Sequence, residues 1–177
     1  MTNRTDHTER SSCRESLLSI EEAESLNALQ LAYMGDAVWE MIVRTRMMLQ
    51  RRHLRRMHEE CVKMVNAAAQ ARHMKRISGS LTEKEQTIAH RGRNAHAKHP
   101  TPKNQIPADY AEATGFESLL GFLYITGQDE RISALSDLIF SENTDYTHVP
   151  EGKIEPTGKA YGIRKRDIRR GAVPNGK

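Results

Sequence analysis

Two segments constrain this chain more than any others. Leu31-Ala32-Tyr33-Met34-Gly35-Asp36-Ala37-Val38-Trp39 and Gly115-Phe116-Glu117-Ser118-Leu119-Leu120-Gly121 each read as a nearly apolar helical run, interrupted by a single carboxylate and punctuated by glycine. A carboxylate buried alone is expensive, so such a group is ordinarily paired, protonated or bound to metal. A glycine inside a helix costs about 1 kcal/mol in propensity, and it makes sense where another backbone has to come close. The chain is therefore expected to bury Asp36 and Glu117 at close helix contacts. A salt bridge to a core arginine, or a turn of the side chain to solvent, is the structural alternative for either acid.

The surrounding pattern is helical. Leu26, Leu29, Tyr33, Ala37, Met41 and Met48 recur at steps of three, four or seven, which predicts a helix from Leu26 to about Leu49. A second helix is expected from Met57 to Ile77, with Cys61, Met64, Val65, Ala68, Ala69 and Arg72 in period and Gly79 at its end. Thr82-Glu83-Lys84-Glu85 is a capping box that opens a helix through Ile88 and Ala89. Residues 92–108 hold Gly92, Pro100, Pro102 and Pro107 and read as a long basic loop. Asp109-Tyr110-Ala111-Glu112 reads as another capping box, before a helix with Phe116, Leu119, Leu120, Leu123 and Tyr124 that stops at Gly127. Asp129 caps a last helix with Ile132, Leu135, Leu138 and Ile139. Strand-like alternation and internal repeats are both lacking. The expectation is all-α: a domain over 25–140, a flexible lead-in over 1–24 and a basic, flexible tail over 141–177.

With 177 residues the chain has room for one domain plus tails. Its aromatic content is only 5%, against eight methionines, so the core should be aliphatic, with Met41, Met47, Met48, Met57 and Met64 serving as core or dimer interface. Cys13 and Cys61 lack a CxxC spacing, which excludes a disulfide scaffold and a cysteine zinc finger, fits a reducing interior, and leaves Cys61 as core packing. Met1 to Glu21 has no apolar core of a signal peptide, and Leu119 to Ile125 falls far short of the ~20 residues of a membrane span. A cytoplasmic protein without membrane contact is expected.

The net charge of +4 matters less than its distribution. No acid occurs between Glu85 and Asp109, where Arg91, Arg93, Asn94, Lys98, Lys103 and Asn104 gather with His90, His96 and His99. Arg44, Arg46, Arg51, Arg52, Arg55 and Arg56 form a second basic cluster, and Arg164, Lys165, Arg166, Arg169 and Arg170 a third. Such clusters favour a polyanion, with a solvated face as the alternative. The histidines are too loosely spaced, and without a thiolate, to read as a zinc site. Tyr110 reads as core rather than as a contact to such a polyanion. Glu40 lies one turn beyond Asp36, and a carboxylate pair so placed can hold a hard cation such as Mg²⁺. Alternatively Glu40 is solvated or salt-bridged. Polyanion binding joined to helix-borne acids suggests metal-dependent phosphoryl chemistry.

At this point the residues resemble a known family. Leu31-Ala32-Tyr33-Met34-Gly35-Asp36-Ala37-Val38-Trp39-Glu40 is similar to the signature helix of the ribonuclease III family, and Ala113-Thr114-Gly115-Phe116-Glu117-Ser118-Leu119-Leu120-Gly121-Phe122-Leu123-Tyr124 to its second acidic motif. Arg91-Gly92-Arg93-Asn94-Ala95, followed by Pro102-Lys103-Asn104, resembles the Mini-III branch, which has no double-stranded-RNA-binding domain. The resemblance implies an all-α endoribonuclease domain that works as a homodimer and cuts double-stranded RNA with Mg²⁺. It implies that Asp36 and Glu117 are the catalytic metal ligands, and that the substrate is a large-subunit (23S) ribosomal RNA precursor, with a ribosomal-protein helper left open. Ala32 and Thr114 stand where full-length enzymes carry further acids, and the Mini-III branch lacks those acids too. Without a separate RNA-binding domain, Arg91, Arg93, Asn94, Lys98, Lys103 and Asn104 would contact the phosphates and 2′-hydroxyls of the duplex. The basic tail could add further phosphate contacts. Two alternatives stand beside this reading: a non-catalytic RNA-binding module of the same fold, against which both retained acids speak, and an all-α nucleotide pyrophosphohydrolase, which favours closely spaced acidic clusters.

Overall fold

The computed structural model describes residues 17–50, 53–95 and 106–141, and the described residues are helical throughout. In order they form α1 (Ile20–Ser25), α2 (Ala28–Leu49), α3 (Leu54–Val65), α4 (Ala67–Ile77), a 3₁₀ turn (Ser78–Ser80), α5 (Glu83–Ala95), α6 (Pro107–Ile125) and α7 (Asp129–Phe140). The expected tail beyond Ser141, residues 96–105, Arg51, Arg52 and Cys13 lie outside the described residues. None of the described helices is long and apolar enough to cross a membrane.

Helix α6 is the axis of the fold. Every residue from Ala113 to Leu123 is buried except Glu117. A helix that is apolar on all sides must be surrounded, and α2, α4 and α5 pack around it. Two of these contacts bring backbones together. A Cβ on Gly35 would sit 1.8 Å from the Glu117 carbonyl oxygen, and one on Gly121 would sit 1.9 Å from the Leu31 carbonyl oxygen. The α2–α6 crossing thus exists because neither helix has a side chain at its contact point, as the glycines predict. Gly92 plays the matching part on α5, against Ser118 and Thr114 of α6.

The core beside this crossing centres on Trp39, whose ring packs edge-on against Phe116 and stacks on Phe140. Its indole N–H donates to the Met64 carbonyl at 3.0 Å, at the break between α3 and α4. The His73 ring nitrogen shares that carbonyl, 3.1 Å away. Burial pushes the His73 imidazole down to about 4, so it packs as a neutral ring. Arg46 clamps α2 to α7, pairing with Asp137 at 2.8 Å and lying 4.3 Å above the Phe140 ring.

Several local expectations are corrected. The stripe of Leu29, Tyr33, Ala37, Met41 and Met48 does not face the core: Tyr33 is 84% and Met48 67% exposed. The buried stripe is Leu31, Ala32, Gly35, Val38, Trp39, Val43 and Met47. Helix α2 is apolar on both sides, so periodicity alone could not choose the inner one. The expected 57–77 helix is two helices, because Asn66 turns extended and its side chain caps α4 by accepting from the Ala69 N–H. Part of the expected lead-in is ordered: Ser19 and Glu22 form a capping box that starts α1. Helix α5 runs on to Ala95, because Gly92 serves helix contact and not a turn. Helix α6 starts at Pro107 with Ile106 as its N-cap, so Asp109 sits inside the first turn. Asp129 likewise lies in the first turn of α7, behind Gln128. The Thr82–Glu85 capping box forms as expected, and Glu85 also takes a two-pronged bond from Arg131.

Gly35→Ala and Gly121→Ala should each cost roughly 2–4 kcal/mol, because the clash at 35 and 121 is with backbone that cannot rotate away. Gly79→Ala meets nothing within 4 Å and should change stability by less than about 0.5 kcal/mol. Urea unfolding of the three variants checks both statements.

Candidate active site

The glycine crossing decides where the two carboxylates stand. Asp36 follows the contact residue Gly35 on α2, and Glu117 is the residue of α6 whose carbonyl Gly35 touches. Two acids 81 positions apart in sequence are therefore set at one helix crossing. Asp36 is exposed, not buried as its sequence context suggested, because α2 turns that side of the helix to solvent. Glu117 is half-buried, on the stretch of α6 from Ala113 to Leu123 that is otherwise sealed.

Burial pushes the Glu117 carboxyl up to about 7, and the negative charge of Asp36 pushes in the same direction. The Gln70 amide of α4 opposes both by favouring the anion. Gln70 was not singled out from sequence. Its signal is a lone amide following Ala67-Ala68-Ala69, and an uncharged residue draws less notice than an acid. The site thus offers two carboxylates whose mutual repulsion a cation would relieve, with hard oxygen donors of the kind that bind divalent metals.

Other expected members are placed elsewhere. Glu40 pairs with Arg44, so it takes the salt-bridged alternative and does not join Asp36. Ala32 is buried and has no ligand atom, and the Thr114 hydroxyl donates to the Tyr110 carbonyl at 3.0 Å. Tyr110 is half-buried and His90 exposed, while His96 and His99 lie outside the described residues. Among the described residues no cluster of three or more His, Cys, Asp or Glu side chains could hold a metal. Cys61 is buried, as are Met47 and Met64, whereas Met41 and Met48 are exposed.

The basic residues also divide. Arg91 donates to the Glu24 and Leu26 carbonyls at 2.7 and 2.8 Å, bracing the α1–α2 corner against α5. Arg93 pairs with Glu112 at 3.1 Å yet keeps half its side chain in solvent. Asn94 is exposed on the last turn of α5, and Lys98, Lys103 and Asn104 lie outside the described residues. Of the second cluster, Arg44, Arg46, Arg55 and Arg56 pair with Glu40, Asp137, Glu59 and Glu60, so intramolecular acids meet the charge of these four.

An all-α fold built on this crossing has relatives. Residues 29–128 match the Ribonuclease III domain family, and the chain belongs to that family, whose members are endoribonucleases. The family is in general dimeric, divalent-metal dependent and active on double-stranded RNA. Within it the chain falls in the Mini-ribonuclease 3 branch. It is 46% identical over 111 residues to a Mini-ribonuclease 3 of Symbiobacterium thermophilum, covering 62% of this chain and 84% of that protein. It is 43% identical over 123 residues to one of a Thermoanaerobacter species, covering 69% and 86%. A crystal structure of a Fusobacterium nucleatum protein superposes with a TM-score of 0.63 at 25% identity, over 68% of this chain and 97% of that one.

The raised Glu117 value carries a sign for stability. Between the ordinary 4.5 and about 7 the folded protein holds a proton that the unfolded chain has lost. Stability in EDTA should therefore fall as pH rises through that window, by on the order of 1–3 kcal/mol. Glu117→Gln should flatten this slope, and denaturant unfolding at pH 5 and pH 8 measures it.

Proposed function

We propose that this protein is a Mg²⁺-dependent endoribonuclease that cleaves double-stranded RNA as a homodimer. The observation that carries this reading is the meeting of Asp36 and Glu117 at the glycine crossing of a ribonuclease III domain. Asp36 and Glu117 would hold the cation through carboxylate oxygens. When bound, the cation supplies Lewis-acid neutralisation of the charge that develops at a scissile phosphodiester. The exposed position of Asp36 leaves the site open to a large substrate. The half-buried position of Glu117 excludes part of the surrounding water and strengthens its hold on a cation once it is ionised.

An RNA duplex is recognised through phosphates and 2′-hydroxyls. Arg93 and Asn94 at the end of α5 are the described residues best placed to supply such contacts, joined in our reading by Lys98, Lys103 and Asn104. Arg91 is assigned mainly a bracing role by its two carbonyl bonds. The exposed apolar residues Tyr33, Met41, Met48 and Leu49 of α2, with Leu54 and Val62 exposed on α3, support a homodimer, since apolar surface of this kind is ordinarily covered. The substrate we assign is a duplex stem of large-subunit (23S) ribosomal RNA precursor, met in the cytoplasm.

Asp36→Asn should abolish cleavage of a long RNA duplex in Mg²⁺ while duplex affinity stays within about threefold. Gel assays of cutting and binding test this, and near-wild-type cutting by the variant would refute the site. Arg93→Ala should weaken duplex binding and reduce the slope of log affinity against log salt by about 1. An unchanged slope would move the RNA surface elsewhere.

A further inference from the structure

Helix α4 carries a polar side chain that packing does not explain. Gln70 is 1% exposed, on the helix that α6 packs against. Its backbone N–H is satisfied by the Asn66 carbonyl at 2.9 Å. Its side-chain Nε2 is sealed from solvent and has no acceptor in hydrogen-bond geometry. A buried donor left so costs about 1–3 kcal/mol. Methionine has the same length and nearly the same shape and would avoid that cost. Packing alone therefore gives no reason for an amide here.

The group beside that amide is the Glu117 carboxylate, near enough for the amide to favour its charged form though not in bonding geometry. We propose that Gln70 is the positioning residue of the site: it orients Glu117 by donating from Nε2 to one carboxylate oxygen while the other turns to the divalent cation. The inference rests on the metal role assigned above to Asp36 and Glu117. A carboxylate has two oxygens and about four acceptor positions, so it can serve a cation and a donor at once. Carboxylates that bind metals are themselves held by hydrogen bonds, and losing that outer partner typically costs 10–100-fold in metal affinity or activity. Because Gln70 is buried, water cannot replace it. Because it sits on a packed helix and not a loop, its amide is fixed before the cation arrives.

The test uses the full chain carrying Gln70→Met, with Gln70→Leu as a second apolar variant and Mn²⁺ as the probe. Mn²⁺ binding to the RNA-free protein is followed by electron paramagnetic resonance. The melting temperature in EDTA at pH 5, where Glu117 carries little charge for the amide to favour, should be unchanged or higher, because an unpartnered donor has been removed. Mn²⁺ affinity should fall about 10–100-fold. In a Glu117→Gln background, where Mn²⁺ binding is already weakened, Gln70→Met should add less than about twofold, because the amide acts through that carboxylate. Melting temperatures lowered in both Met and Leu variants would make Gln70 a packing residue and overturn the proposal. Mn²⁺ affinity within twofold of the wild type would overturn it as well, and so would full additivity with Glu117→Gln. If wild-type Mn²⁺ binding itself ignored Glu117→Gln, the metal site would be refuted, a failure distinct from that of Gln70 alone.

Discussion

Two helix backbones touching at Gly35 and Gly121 set the rest of this molecule. A side chain at either point would hold α2 and α6 apart, and the Cβ positions fall less than 2 Å from carbonyl oxygens of the facing helix. The contact places Asp36 on the residue after one glycine and Glu117 opposite it. It also aligns the buried stripe of α2, from Leu31 to Met47, with the buried face of α6. Fold and site thus depend on the same few ångströms of helix separation.

That separation has an electrostatic consequence. Glu117 is placed where water is scarce and a second carboxylate is near, and its proton affinity rises accordingly. In an isolated domain this is a cost, because charge is brought together with no counter-charge between. The packed crossing prevents the helices from drifting apart to relieve it. Such a standing repulsion is what a divalent cation removes, and pKa values this far from ordinary tend to gather at functional sites. The buried Glu85 follows the opposite logic. Glu85 lies in a bond to Arg131 that holds its carboxyl below the usual value, and it serves the fold alone.

Much of this was legible in the sequence. A lone acid within an apolar helical run is costly enough to be noticed, and that cost holds for the half-buried Glu117 but not for Asp36, which the same pattern marks and the fold leaves exposed. Glycines at 35 and 121 pointed to close backbone contact for the same reason. What was not legible follows from ambiguity of pattern. Helix α2 is apolar on two sides, so the inner one depends on where α6 lies. Gly92 has the same letter whether it ends a helix or lets one pack, and it packs. Asn66 breaks a run that periodicity would continue, because its side chain caps the next helix. Gln70 has no charge to draw attention, and only its sealed, unmatched Nε2 exposes it. The arginines look alike in sequence, but Arg91 braces a corner and Arg46 clamps α7, choices made by tertiary contacts.

The proposed function requires a divalent cation held between Asp36 and Glu117. Anomalous diffraction from crystals of the wild-type protein soaked in Mn²⁺ tests it most directly. That requirement predicts a Mn²⁺ peak within oxygen-ligand distance, about 2.0–2.3 Å, of both carboxylates. A peak on Glu40 or elsewhere, with the Asp36–Glu117 crossing left unligated at saturating Mn²⁺, would contradict it.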